Sequence, residues 1–221
     1  MKSLHKRILK EISLKTLLVS SLFFVAIFVF AFLAHEIVGE KEDMFDTKVF
    51  HFLKDRTTAP LVKLMNVLSF FGTHYFLIPA YVVMVTFLFF RHRTPDAINI
   101  VVIVLSSTAL LFGLKTIYRR QRPEFPLFRE FHNYSFPSGH ALSSFIFCSI
   151  LIYLIWKSDL HAVLKYLLAG LLLIFSISIG ISRIVLRYHF ASDVLAGFAL
   201  GFAWVIFSFW ILKKMSKKLR A

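Results

Sequence analysis

The sequence predicts an all-α fold: an integral membrane bundle of six transmembrane helices with an interfacial helix in the first outer loop. Three observations carry that prediction. Of 221 residues, 58% are apolar and 27 are phenylalanine, and the mean hydropathy is +0.74. The apolar residues fall in blocks of about 20, the length of a helix that crosses hydrocarbon. Short lysine and arginine clusters sit beside those blocks. The net charge of +14 therefore points to membrane phospholipid as the anionic neighbour, and not to nucleic acid.

The spans follow in order as Leu17–Ala34, Thr73–Phe90, Ala97–Leu114, Ala141–Trp156, Tyr166–Ile181 and Val194–Leu212. The apolar core of the first is too long for a signal peptide. Phe32 also occupies the position where cleavage after Ala34 would need a small residue, so this helix is predicted to stay uncut. The fourth is short unless it begins near Pro137. Gly197 and Gly201 form a G-x-x-x-G pair in the last span, suited to close helix contact. The single cysteine, Cys148, lies inside the fourth span; it has no intrachain disulfide partner and reads as a small packing residue. Residues 1–221 read as a single six-span domain.

Lysine and arginine placement sets the expected orientation. The N-terminal flank carries Lys2, Lys6, Arg7, Lys10 and Lys15, and the tail carries Lys213, Lys214, Lys217, Lys218 and Arg220. With an even number of spans both ends share a side, and the positive-inside rule makes it cytoplasmic. The short turns at Arg91–Pro95 and Lys157–Lys165 then also lie inside. Three loops, about 35–72, 115–140 and 182–193, lie outside. The last two break the rule, since they hold Lys115, Arg119, Arg120, Arg122, Arg129, Arg183 and Arg187 against Glu124, Glu130 and Asp193. Positive charge on the translocated side needs a reason of its own, and binding phosphate supplies one.

In the first outer loop Phe45, Val49, Phe52 and Leu53 recur at helical spacing, with Asp46, Lys48 and Lys54 between them. This predicts an amphipathic helix at the membrane surface, serving either as a lipid gate or as a lid packed on the bundle; the lid is favoured. Asn133-Tyr134-Ser135 matches a glycosylation sequon, but a glycan there would crowd the basic clusters.

Chemistry concentrates in three places. Lys115 and Arg122 close the third span; they can face one anion as a point charge and a bidentate fork, with Pro123 expected to end the helix. Arg119 and Arg120 read as snorkelling side chains. Pro137-Ser138-Gly139-His140 opens the fourth span, where a helix start leaves N–H groups free to meet an anion and Gly139 permits close approach. His140 falls in its first turn. Ser182-Arg183-Ile184-Val185-Leu186-Arg187-Tyr188-His189-Phe190-Ala191-Ser192-Asp193 joins the last two spans, and its imidazole four residues before a carboxylate can share one helical face with it. Each cluster also has an ordinary reading as a polar loop or cap. All three lie on one side at helix ends, which a bundle can bring together.

The pattern Lys115-x6-Arg122-Pro123, Pro137-Ser138-Gly139-His140, Ser182-Arg183-x5-His189-x3-Asp193 resembles the type 2 phosphatidic acid phosphatase (lipid phosphate phosphatase) superfamily, and it covers residues 115–193. The resemblance implies metal-independent phosphate ester cleavage through a phosphohistidine. It makes His189 the nucleophile, Asp193 its orienting partner and His140 the acid for the leaving group. Lys115, Arg122, Ser138, Gly139 and Arg183 would hold the phosphoryl oxygens. Elementary chemistry agrees with those roles: a carboxylate on one imidazole nitrogen fixes the tautomer of the other, and fixed cations stabilise charge on the equatorial oxygens.

The other histidines, His5, His35, His51, His74, His92, His132 and His161, lack ligand-like spacing, so neither a catalytic metal nor any other cofactor is expected. The resemblance implies a membrane lipid phosphate as partner, namely phosphatidylglycerophosphate, phosphatidic acid or undecaprenyl pyrophosphate, and the expected orientation places its hydrolysis at the outer face of the plasma membrane. Phe125, Phe128 and Phe131 in the second outer loop are candidates either for lipid selection or for simple insertion into the membrane interface. A phosphotransferase would keep every motif. A non-enzymatic lipid transporter is disfavoured because the charges lie at helix ends and not at mid-membrane.

Overall fold

A computed structural model describes residues 14–39, 44–127 and 133–218. Its helices are α1 (Leu14–Gly39), α2 (Met44–Lys54), α3 (Ala59–Phe70), α4 (His74–Phe90), α5 (Thr94–Tyr118), α6 (Gly139–Trp156), α7 (Ala162–Val185) and α8 (Ala191–Lys218). No strand occurs among the described residues. Six segments are long and apolar enough to span a membrane, and each expected span falls inside one of them. The basic N-terminal flank through Lys10, the loop residues Phe128, Arg129, Glu130 and Phe131, and Arg220 lie outside the described residues.

The bundle is built around α8, which packs against α1, α2, α5, α6 and α7. The core joins Met84, Leu88, Ile100, Ile103, Leu142, Ile146, Ile150 and Leu200 from four helices. Large apolar side chains elsewhere face outward, among them Phe24, Phe28 and Phe32 on α1 and Leu167 and Ile174 on α7. That inversion suits a lipid solvent, which rewards outward apolar surface. The glycine pair on α8 does what its spacing predicts. A Cβ at Gly197 would meet the Ser138 carbonyl at 2.7 Å, and one at Gly201 would meet the Leu142 carbonyl at 3.4 Å, so α8 lies tight against the start of α6.

Two features depart from the sequence reading. The second apolar segment begins at Ala59, not Thr73: α3 and α4 form one 32-residue stretch broken by a turn at Phe71-Gly72-Thr73. The stretch Ala59–Phe70, expected as part of the first outer loop, is the helix α3 and packs on α7. The interfacial helix exists as α2 and is docked as a lid: Asp46 is buried and Val49, Phe50 and Leu53 are half-buried, while Lys48 and Lys54 stay exposed. Asp46 is 2% exposed, whereas Phe45 and Phe52, expected on the apolar face, are 46% and 60% exposed.

Candidate active site

The loop ends of α5, α6, α7 and α8 meet at one end of the bundle. α5 stops at Tyr118 because Arg119 turns left-handed (φ 47°, ψ 29°) and returns its N–H to the Lys115 carbonyl. Pro123 is therefore not the terminator: the helix has ended five residues earlier. Lys115 stays in the last turn, buried, and its Nζ donates to the carbonyls of Tyr134 and Ser135. It thereby ties the incoming loop to α5.

Arg122 leaves the helix as a fork. Its Nε and Nη2 donate to the Asn133 side chain at 3.1 and 2.6 Å. Its Nη1 donates to the Tyr188 carbonyl and stands 3.3 Å from His189 Nε2. Burial pushes the Arg122 pKa down to about 10, with Asp193 pulling the other way.

His189 does not share a helical face with Asp193. It lies in the turn before α8, while Asp193 occupies the first turn of that helix. The two still meet, because Asp193 Oδ2 accepts from the Phe190 N–H at 3.0 Å and folds the turn back on itself, as a carboxylate in a first helical turn does. His189 Nδ1 then lies 3.3 Å from Asp193 Oδ2 and 3.2 Å from Ser135 Oγ. Ser135 Oγ also donates to Oδ2. With Nδ1 as donor to the carboxylate, the lone pair at Nε2 faces Arg122. Burial, followed by the charges of Arg122, Arg183 and Lys115, holds the His189 pKa well below its ordinary value; a hydrogen bond with Ser135 opposes this. The ring is neutral near neutral pH, which is the nucleophilic form.

Arg183 closes α7, 2% exposed. Its Nη1 donates to Ser69 Oγ of α3, and its guanidinium stacks 4.3 Å over the Tyr188 ring. Ser138 caps α6: its Oγ accepts from the Ala141 N–H, and its own N–H donates to the Asp193 carbonyl at 3.0 Å. His140 lies within electrostatic range of Arg183, His189, Arg122 and Lys115. Its Nε2 is buried and has no hydrogen-bond partner among the described residues. Gly72 packs against this ring, where a Cβ would approach His140 Cδ2 to 2.7 Å. The geometry thus gathers Lys115, Arg122, Ser138, Gly139, His140, Arg183, His189 and Asp193 at one place. Ser182 stands apart, since its hydroxyl donates to the Ile179 carbonyl at 2.6 Å within α7.

Five residues escaped the sequence reading. Arg120, read as a snorkelling side chain, turns inward: its Nη1 donates to Asp193 Oδ1 and Ser192 Oγ, both at 2.7 Å, and its Nη2 to Asp46 Oδ2 at 2.9 Å. Asp46 also accepts from the Ser192 N–H at 2.9 Å and from its hydroxyl. Ser135 and Asn133, seen only as a sequon, hold Asp193 and Arg122. One signal was available: the surplus of cations in the loops around the site needs acid partners, and Asp46 is an acid on an otherwise apolar helix face. Tyr188, without a role in the sequence, supports Arg122 by its carbonyl and Arg183 by its ring.

An imidazole fixed at Nδ1 by a carboxylate, open at Nε2 toward arginine, and flanked by a second imidazole can attack phosphorus and return a proton to a leaving oxygen. The comparisons with known proteins point the same way. Phosphatidylglycerophosphatase B of Bacillus subtilis is 30% identical over 165 residues, covering 72% of this chain and 77% of that protein. The crystal structure of the first transmembrane PAP2-type phosphatidylglycerolphosphate phosphatase from Bacillus subtilis superposes with a TM-score of 0.75 at 24% identity, covering 89% of this chain and 96% of that one. LpxE of Aquifex aeolicus superposes at 0.58 with 22% identity, over 77% and 98% of the two chains. The model of the PAP2 superfamily matches residues 96–217, a stretch that contains all three motif clusters, and the chain belongs to that superfamily.

Proposed function

We propose that this protein is a metal-independent phosphatase of membrane lipid phosphates, working through a phosphohistidine at the outer face of the plasma membrane. The observation that carries the reading is the setting of His189, fixed at Nδ1 by Asp193 and facing Arg122 at Nε2. In the first step Nε2 forms a bond to phosphorus while the bond to the lipid oxygen breaks, and His140 protonates that oxygen. In the second, water attacks the phosphohistidine, His140 accepts the water proton, and inorganic phosphate leaves. Lys115, Arg122 and Arg183, with the Ser138 hydroxyl and the Gly139 N–H, stabilise the phosphoryl oxygens in both steps.

The relative's name makes phosphatidylglycerophosphate the first substrate to try, with phosphatidic acid and undecaprenyl pyrophosphate next. Lysine and arginine at both chain ends support cytoplasmic termini and an extracytoplasmic site. The test is phosphate release from a panel of these lipids by purified protein in chelator. Wild type is expected to turn over and His189→Ala to be inactive. Activity surviving that substitution overturns the phosphohistidine, and loss of wild-type activity in chelator overturns metal independence. A C-terminal tag reachable from outside intact cells would overturn the orientation.

A further inference from the structure

We infer that Asp46 and Arg120 are positioning residues for the reaction, and that α2 is through them a working part of the active centre. The inference rests on reading His189 as nucleophile and Asp193 as its orienting partner. Asp193 has two oxygens. Oδ2 faces His189, Ser135 and the Phe190 N–H. Oδ1 is held by Arg120 at 2.7 Å. Rotation of the carboxylate would exchange the two, so Arg120 sets its plane.

Arg120 in turn has an anchor on the far side. Asp46 takes its Nη2 at 2.9 Å and also takes the N–H and hydroxyl of Ser192, the residue beside Asp193. The guanidinium lies 4.0 Å over the Phe190 ring, and that ring packs on Phe50 of α2 at 5.7 Å. One arginine between two buried carboxylates thus links α2 to the segment Phe190–Asp193 that carries the orienting group. Asp46 fixes Arg120, Arg120 fixes Asp193, and Asp193 fixes the His189 tautomer. The contacts of Arg120 run to carboxylates, a hydroxyl and a ring. Loosening the chain should therefore slow chemistry without weakening phosphate binding.

The experiment measures kcat, KM, competitive inhibition by inorganic phosphate, and melting temperature for full-length wild type, Asp46→Asn, Asp46→Glu, Arg120→Lys and His189→Ala. Asp46→Asn and Arg120→Lys are expected to lower kcat about 10- to 100-fold, the range of one charge-assisted hydrogen bond, with KM and phosphate inhibition unchanged. Asp46→Glu should recover part of the rate. A folded Asp46→Asn or Arg120→Lys enzyme with wild-type kcat overturns the inference. So does an Arg120→Lys variant whose KM and phosphate inhibition shift together, because that marks direct contact with phosphate. His189→Ala separates the two levels: if it stays active, the underlying reading falls; if it is dead while Asp46→Asn runs at full rate, only the positioning role falls.

Discussion

His189 and Arg122 face each other at 3.3 Å, and this closeness sets the pH behaviour of the site. Burial and three cations disfavour the imidazolium. As pH falls, the free enzyme keeps its nucleophile until pH passes below the ordinary histidine value of about 6.5. Removing one of those cations should raise the limb. The kcat/KM profile of Arg122→Gln is therefore expected to lose its acid side at higher pH than wild type. Substrate titration is common to both, so the difference between profiles reports the two imidazoles that Arg122 acts on, His189 and His140; identical limbs would refute that control. Stability follows the same sign: below about pH 6.5 the unfolded chain takes up a proton that folded His189 refuses, so acid destabilises. Asp193→Asn acts on two levels. It should slow kcat at least about 100-fold by weakening tautomer control. It should also lower the melting temperature, because Arg120 loses a fully buried ionic partner. A variant with wild-type rate would refute the orienting role.

Among the elements, the turn between α3 and α4 is the least obvious contributor. Gly72 leaves room for His140, and a Cβ there would meet the ring at 2.7 Å and Ile179 at 2.8 Å. Gly72→Ala is expected to displace the ring and cut kcat by about 10-fold or more, since ångström-scale misplacement is costly. Gly113→Ala on α5 is the matched control, for nothing lies within 4 Å of its Cβ; its rate should be unchanged and its helix slightly steadier. Equal rates for the two variants would remove the turn from the site. The limits of the sequence reading also lie at this scale. The six spans and three clusters were legible because they are local: apolar length and short motifs need no knowledge of neighbours. Arg120 meets Asp46 across 74 residues and Asp193 across 73, and Ser135 meets Asp193 across 58. Such pairings leave no local periodicity. α3 was hidden because Lys63 and Asn66 interrupt its apolar pattern, and its partner α7 lies about a hundred residues on.

The whole molecule divides its polar chemistry between two ends. Opposite the site, Asp96 at the start of α5 takes Lys157 Nζ at 2.8 Å, the Tyr153 hydroxyl at 2.9 Å and Arg93 Nε at 2.9 Å. This cluster clips α5 to the end of α6. Both cations are partly exposed, so each pair is screened and individually modest. Asp96→Asn is expected to lower the melting temperature and leave kcat intact; a fall in kcat at unchanged stability would mean that the far end communicates with the site.

The break at Gly72 has a further consequence, one of hydrophobic mismatch. With α3 split off, α4 has 17 residues, and α6 has 18. At 1.5 Å per residue they reach about 26 and 27 Å, short of a hydrocarbon core of about 30 Å. They are neighbours, joined by Phe147 meeting Phe76 and Tyr81 edge to face. Both begin at the end that holds His140. A bilayer meeting two adjacent short helices thins locally, and the headgroup plane dips toward the helix starts where phosphate would bind. In proteoliposomes of graded acyl length, turnover should be fastest in the thinner bilayers and fall as the chains lengthen. A rate indifferent to thickness would show that substrate reaches the site without this help from the membrane.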